Sequence, residues 1–189
     1  MDWLEFFYDY FEDRGRAAAL IRQRRPYAAG LFGAWLGGAS LFVADALAGR
    51  HAVLSFSWPS LAIALLWQTA FLFAAAAVLH LLLDMTGARG DAGALFVHLG
   101  LADLAWLAAL PAVLALKALA PASAWSMRAA FFLVGLWSLA LKARGVRDEY
   151  GVGEARAWLT LGLPYFAVAG LVALTGALAL VSLVLKALS

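Results

Sequence analysis

Residues 59–83 read PSLAIALLWQTAFLFAAAAVLHLLL and contain no Asp, Glu, Lys or Arg. A helix of about 20 apolar residues crosses the hydrocarbon core of a bilayer, which is roughly 30 Å thick. A membrane β-barrel would need strands in which apolar and polar side chains alternate, and runs such as 74–78 do not alternate. This stretch therefore predicts a membrane-spanning helix, and Pro59 suits the first turn of that helix because its missing N–H costs nothing there.

Four more stretches have the same apolar character. Their approximate bounds are residues 27–49, 93–119, 124–141 and 158–185. The chain has 189 residues, of which 65% are hydrophobic and 14% charged, whereas a soluble domain is about 25% charged. Backbone groups in lipid must be satisfied within each segment, which favours helices. The sequence predicts an all-α polytopic transmembrane bundle of about five spans over residues 27–189, with Pro111 kinking the third span.

The distribution of Lys and Arg predicts the orientation of these spans. Ten of the 14 Lys and Arg residues lie in segments 1–26, 84–92 and 142–157, and positively charged segments face the cytoplasm. We therefore expect a cytoplasmic N-terminus and, after five spans, an outside C-terminus, in a membrane such as the bacterial plasma (inner) membrane. We also expect the polar stretch Lys142–Glu154 to form a solvated loop on the cytoplasmic side.

The N-terminal segment, residues 1–26, begins with aromatic and acidic residues and continues with arginines. The spacing of its aromatic residues is close to that of one helical face. This pattern predicts an amphipathic helix at the inner leaflet, where arginines meet lipid headgroups. The candidates for lipid contact are Trp3, Phe7, Arg22, Arg24 and Arg25. The alternative is a helical lead-in that packs on the bundle, with its arginines acting as topology signals.

Glycines inside two spans predict close helix contacts. Gly30, Gly33 and Gly37 lie in the first span, and Gly170 and Gly176 lie in the last. Small residues let the backbones of two membrane helices approach each other. We interpret these glycines as sites of tight packing within the chain, with homodimerisation as the alternative.

Four ionisable residues inside or at the edge of spans two and three are the candidate functional group. They are His80, Asp84, His98 and Asp103. Ionisable side chains in a membrane are costly, which makes them candidates for function. His80 and Asp84 share one helical face, and an antiparallel hairpin places His80 and His98 at similar depth. The group predicts proton or ion handling, with the histidines as weak metal candidates; the alternative is that the histidines hydrogen-bond across the hairpin.

Enzyme motifs are missing from the sequence. It has no cysteine, no H-E-x-x-H, no phosphate-binding G-x-x-x-x-G-K-[ST] and no G-x-S-x-G nucleophile elbow. It also lacks the basic stripe with interleaved aromatic residues that binds nucleic acid. We therefore assign no catalytic residue, no metal, no cofactor and no nucleic-acid partner. The expected partners are the lipid bilayer and other membrane proteins or a second copy of the chain.

The order of spans and turns has three distinctive features. They are an N-terminal cytoplasmic segment before five spans, the turn His80–Gly90 before a span that contains Pro111, and the run Trp137–Arg147 followed by Tyr150–Ala157 and a final span that contains proline. Together these features resemble the Ypt-interacting protein (Yip) domain in its bacterial form, over about residues 15–185. The resemblance implies a role in membrane organisation or trafficking and implies no catalytic residue.

These observations lead to three hypotheses about function. The first is a non-enzymatic integral membrane scaffold or accessory subunit, similar to Yip-domain proteins, that acts through helix packing. The alternative is a small oligomeric transporter or channel that uses the four ionisable residues. The third is a metal-dependent intramembrane enzyme. The position of the two histidines separates the first two hypotheses, because a transport role needs them to face each other or a cavity.

Overall fold

The computed structural model describes residues 3–49, 56–119 and 124–188. Within these ranges the chain folds into helices and contains no strand. The helices are α1 (Trp3–Glu12), α2 (Arg14–Arg24), α3 (Tyr27–Leu47), α4 (Trp58–Met85), α5 (Ala92–Ala102), α6 (Ala109–Leu119), α7 (Ala124–Tyr150) and α8 (Glu154–Leu188), and a 3-10 segment (Asp103–Ala108) joins α5 to α6.

Five of the described helical stretches are long and apolar enough to cross a membrane. They are α3, α4, the continuous stretch from α5 to α6, α7, and α8 over Glu154–Ala179. The predicted all-α polytopic bundle with five spans is confirmed. The protein is an integral membrane protein.

The sequence explains where several of these helices begin. The Ser57 hydroxyl accepts a hydrogen bond from the N–H of Ser60 at 3.3 Å, and Pro59 lies in the first turn of α4. The Asp91 carboxylate accepts the N–H of Ala94 at 2.8 Å at the start of α5. Such side chains satisfy backbone donors that have no partner inside the helix.

Helix α3 packs closely on the third span through its glycines. A Cβ added at Gly30 would lie 2.8 Å from the Cα of Val97, and one added at Gly33 would lie 2.8 Å from the carbonyl oxygen of Gly100. A Cβ at Gly37 would overlap the carbonyl oxygen of Asp103. The expected packing within the chain is confirmed for α3, because only glycine allows this backbone approach. It is wrong for Gly170 and Gly176 of α8, where an added Cβ would meet nothing within 4 Å.

The third span is interrupted near its middle. Its 3-10 segment ends at Ala108, just before Pro111 in α6. Proline has no N–H to donate to the carbonyl four residues earlier, which is that of Leu107. The Ser40 hydroxyl of α3 lies 3.5 Å from this carbonyl oxygen and donates to it. The span is thus interrupted by a 3-10 segment just before Pro111, and α3 supplies a donor for the carbonyl that Pro111 leaves without one. The kink at Pro111 stays a prediction.

The expectation of a solvated loop at Lys142–Glu154 is wrong. Helix α7 continues to Tyr150, and only residues 151–153 connect it to α8. Two charged residues of this stretch have partners inside the protein: Lys142 pairs with Asp103, and the buried Glu149 accepts the N–H of Asp91. Arg144 and Arg147 lie on the opposite side of the helix and are exposed. The polar stretch is therefore an amphipathic end of α7, with one side facing the bundle.

The first and last helices differ in how they contact the bundle. Phe6 of α1 and Ile21 of α2 are buried in a cluster with Val97 of α5. The N-terminal segment thus forms two helices docked on the bundle, where a single amphipathic helix was predicted. In α8, Leu161 is buried, whereas every residue from Tyr165 to Ala179 is exposed.

Candidate functional site

The structure does not bring the four predicted ionisable residues together. Asp84 is exposed at the end of α4. His80, His98 and Asp103 each contact a different part of α7 through Tyr150, Gly145 and Lys142. The predicted pairing of the two histidines across the hairpin is therefore not formed, because α7 supplies the partner of each.

Asp103 is the centre of a polar cluster inside the bundle. Its Oδ1 lies 2.7 Å from the ammonium nitrogen of Lys142 and accepts the hydroxyl of Ser138 at 3.3 Å. Its Oδ2 accepts the amide of Gln68 at 2.9 Å. Gln68 belongs to α4, while Ser138 and Lys142 lie one turn apart on α7. The carboxylate therefore joins three spans.

The electrostatics of this cluster explain its composition. The Asp103 side chain is 1% exposed and that of Lys142 is 16% exposed. Asp103 lies about 16 Å along its span from the start of α5, counting 1.5 Å for each residue, which is close to the middle of a bilayer core. An isolated charge at that depth is costly. The Lys142 ammonium neutralises the carboxylate, and the two hydrogen bonds add a donor to each of its oxygens.

Two cavities adjoin this cluster. The first, of about 490 Å³, lies between α4, α7 and α8, and Asp103 and Lys142 are the charged residues that line it. The second, of about 410 Å³, shares Lys142, Leu161 and Tyr165 with the first. Sites for small molecules are typically concave and mostly apolar with a few polar groups, in cavities of about 300–1,000 Å³. Lys142 is thus a polar group placed where a ligand could reach it.

His80 and Tyr150 form a second polar contact, at the end of the bundle that carries α1 and α2. We call this end the basic end. The Nδ1 of His80 lies 2.7 Å from the Tyr150 hydroxyl. The Tyr150 ring also covers Gly90, where an added Cβ would lie 2.6 Å from the ring. This contact joins α4, α7 and the turn before α5.

His98 is buried against α7. Its Cβ would lie 2.8 Å from a Cβ added at Gly145. The residue is 4% exposed, and its Nε2 has no hydrogen-bond partner among the described residues. This imidazole is packed between spans three and four.

A third polar cluster fastens the N-terminal segment to the basic end. The Nε of Arg22 lies 3.4 Å from the carboxylate of Glu149, and a guanidinium nitrogen of Arg22 donates to the Asp148 carbonyl at 2.9 Å. The Glu149 carboxylate also accepts the N–H of Asp91 at 2.9 Å. Arg25 pairs with the Asp91 carboxylate at 2.7 Å. The two arginines therefore bind carboxylates of the bundle.

We call the contacts of Arg22 and Arg25 with these carboxylates the clamp. The clamp bears on the predicted lipid contacts of the N-terminal segment. Arg22 and Arg25 contact protein carboxylates, as in the alternative of a lead-in packed on the bundle, but their side chains are 58% and 51% exposed, and Arg24 is exposed as well. The side chains of Trp3 and Phe7 lie outside the described residues. Lipid contact by the exposed side of this segment stays a prediction.

Sequence reasoning missed the partners of Asp103. Lys142 was placed in a loop, while Gln68 and Ser138 carry no charge and were not considered. A usable signal was present, because an acidic residue at mid-membrane depth requires a basic partner. Lys142 follows Ser138 by four residues, so the two share the helical face that meets Asp103.

Among residues 3–49, 56–119 and 124–188, no three His, Asp or Glu side chains lie together in a group that could hold a metal ion. In comparisons with known proteins, no family model, curated protein or solved structure matches this chain.

Proposed function

We propose that this protein is a non-enzymatic membrane scaffold or accessory subunit that packs one of its spans against another membrane protein. The observation that carries the proposal is the exposure of most of α8. Its first turns contact the bundle at Leu161, but from Tyr165 to Ala179 every residue is exposed. The bacterial Yip-like layout, a cytoplasmic N-terminus and a plasma-membrane location belong to the same proposal.

The surface that supports this role is a face of small residues on α8. Gly170, Ala173, Gly176 and Ala177 lie on one side of the helix, and all four are exposed. We call these four residues the α8 small face. A Cβ added at either glycine would meet nothing within 4 Å. The backbone of α8 is therefore open to a close neighbour along this face.

The chemistry of the bilayer favours a helix as that neighbour. Lipid tails are as apolar as leucine, so membrane helices associate through close backbone packing at small residues. The α8 small face is flat and apolar, and it suits a transmembrane helix of another protein that also presents small residues. The clamp at Arg22 and Arg25 keeps the N-terminal segment on the bundle. It lies at the end of the bundle where α8 begins, away from the α8 small face.

Added bulk on one face of α8 tests this proposal. Gly170→Leu together with Gly176→Leu fills the α8 small face, whereas Thr175→Leu adds bulk on the other side of the helix as a matched control. The full chain, purified in a gentle detergent, should retain a protein partner in its native and Thr175→Leu forms and lose it in the double variant. Equal recovery of the partner in all three forms, or a solitary native monomer, would contradict the proposal. A complex made only of this chain would identify a second copy as the partner.

The alternative function, a small oligomeric transporter or channel, is favoured by a different observation. Asp103 and Lys142 are charged groups in the bundle interior, and both line a cavity of about 490 Å³. Flux into liposomes would be compared for the native protein, for His80→Ala, for His98→Ala and for Asp103→Asn combined with Lys142→Met. Transport through this cluster predicts a loss of flux in the last variant. Unchanged flux in every variant would remove the alternative.

A further inference from the structure

We infer that the cavity between α4, α7 and α8 binds a neutral lipophilic molecule that carries a hydrogen-bond acceptor, and that the Lys142 ammonium donates to this acceptor. The inference goes beyond the proposed scaffold role. It does not depend on the α8 small face, so the two can fail separately.

The cavity has an exposed rim and a buried floor. Phe71, Val78 and Val168 line it and are exposed on the apolar surface of the spans. Leu72 and Leu99 line it as well and are 2% and 1% exposed. The cavity therefore leads from the surface that faces lipid into the interior of the bundle. A molecule dissolved in the bilayer can enter it without passing through water.

The polar part of the floor presents donors. The carboxylate oxygens of Asp103 accept bonds from Lys142, Ser138 and Gln68, three donors for about four lone-pair positions. An ammonium group has three N–H donors. Asp103 accepts from the ammonium of Lys142, and no other partner of this ammonium lies among the described residues. The cavity floor thus offers more free N–H donors than free acceptors, which favours a ligand with a hydrogen-bond acceptor.

The charge balance of the floor selects a neutral ligand. Lys142 and Asp103 cancel each other, so an added carboxylate or phosphate would be buried without a compensating charge, which is costly. A hydroxyl, carbonyl or ether oxygen can accept from Lys142 without this cost. The depth of the pair adds a second condition, since the polar groups of ordinary phospholipids stay at the membrane surface. The ligand class is a membrane-dissolved alcohol or carbonyl compound with a long apolar body.

Three photoreactive probes distinguish this class from its rivals. The full chain in lipid nanodiscs is exposed to diazirine derivatives of a long-chain alcohol, the fatty acid of equal length and the corresponding hydrocarbon. Mass spectrometry then locates the labelled residues. We expect the alcohol to label the cavity residues at least tenfold more than either of the other probes.

Two pairs of variants connect the labelling to the site. Ala74→Trp blocks the cavity, whereas Ala77→Trp adds the same bulk to an exposed position of α4 that does not line it. Asp103→Leu combined with Lys142→Met removes the ammonium donor without leaving a buried charge alone and adds no new N–H group to the cavity. We expect the blocked form and the form without the ammonium to lose the tenfold preference, and the Ala77→Trp form to keep it.

The outcomes that would overturn the inference are distinct. Equal labelling by all three probes would mean that the cavity accepts any acyl chain of the bilayer. Strongest labelling by the fatty acid would show an anion site and contradict the neutral ligand. A preference for the alcohol that persists in Ala74→Trp would place the binding elsewhere on the protein.

Discussion

Helices α3 and α8 both carry small residues on one face, yet the two faces have different surroundings. In α3, Gly30, Gly33 and Gly37 touch the backbone of the third span so closely that a Cβ would collide with it. In α8, Gly170 and Gly176 meet nothing within 4 Å. The sequences of the two stretches did not predict this difference.

A face of small residues stabilises a helix contact only where another backbone lies close opposite it. The α3 glycines meet Gly100, which is itself small, and the 3-10 segment that begins at Asp103. That segment is fixed in turn by the bond between Asp103 and Lys142. The α8 small face has no such counterpart among the described residues. It can therefore stabilise a helix contact only with a neighbouring helix in the membrane.

The largest expected effect comes from the ion pair behind the α3 contact. Lys142→Met leaves Asp103 buried without its counter-charge, and breaking a buried pair in this way costs about 3–5 kcal/mol. We expect the free energy of unfolding, measured by SDS titration in mixed micelles, to fall by this amount. The contact between α3 and the third span should loosen as well, because Gly37 packs on the backbone of Asp103.

The double variant Asp103→Asn with Lys142→Met is the control for that loss. It removes both charges, and replacement of a buried ion pair by uncharged groups is often close to neutral. Its stability should therefore lie nearer to that of the native protein than to that of Lys142→Met. A double variant as unstable as the single one would show that the pair has another structural role.

An intermediate effect is expected at the closest point of the α3 contact. Gly37→Ala places a methyl group against the carbonyl of Asp103, so the two spans must move apart. Overpacking of this kind costs about 1–3 kcal/mol. The same SDS titration measures this loss of stability. An unchanged midpoint of unfolding would contradict the close packing of α3 on the third span.

The smallest effect is expected on α8. Gly176→Ala adds the same methyl group where nothing lies within 4 Å, so it should not destabilise the isolated protein, and the higher helix propensity of alanine should stabilise it by at most about 1 kcal/mol. A loss as large as that of Gly37→Ala, seen in the purified chain, would show that the α8 small face is already packed. The contrast between α3 and α8 would then be wrong.

The helical spans could be predicted from the sequence because apolar length is a local property. Runs such as 59–83 specify a membrane helix whatever surrounds them. The end of α7 could not be predicted in the same way. Its polar residues 142–150 resemble a loop until Lys142 and Glu149 are seen to be paired with other spans.

The candidate site was predicted in part. His98 and Asp103 are buried and His80 is half-buried, and intramembrane ionisable residues usually face the bundle interior. Their partners Tyr150, Gly145 and Lys142 all belong to α7. No local pattern relates α7 to the hairpin of spans two and three, so the grouping of the four residues was predicted from sequence spacing, and that grouping is not formed.

The sequence by itself determined that this chain lies in a membrane as helices, because transfer of apolar side chains and backbone satisfaction depend on each segment alone. Its glycines predicted close packing for both α3 and α8, and this holds for α3 alone. Only the tertiary structure decided that α7 is the partner of every buried ionisable group of the hairpin and that α8 leaves its small face uncovered. Contacts between spans depend on which side chains stand opposite each other, and that is a property of the whole bundle.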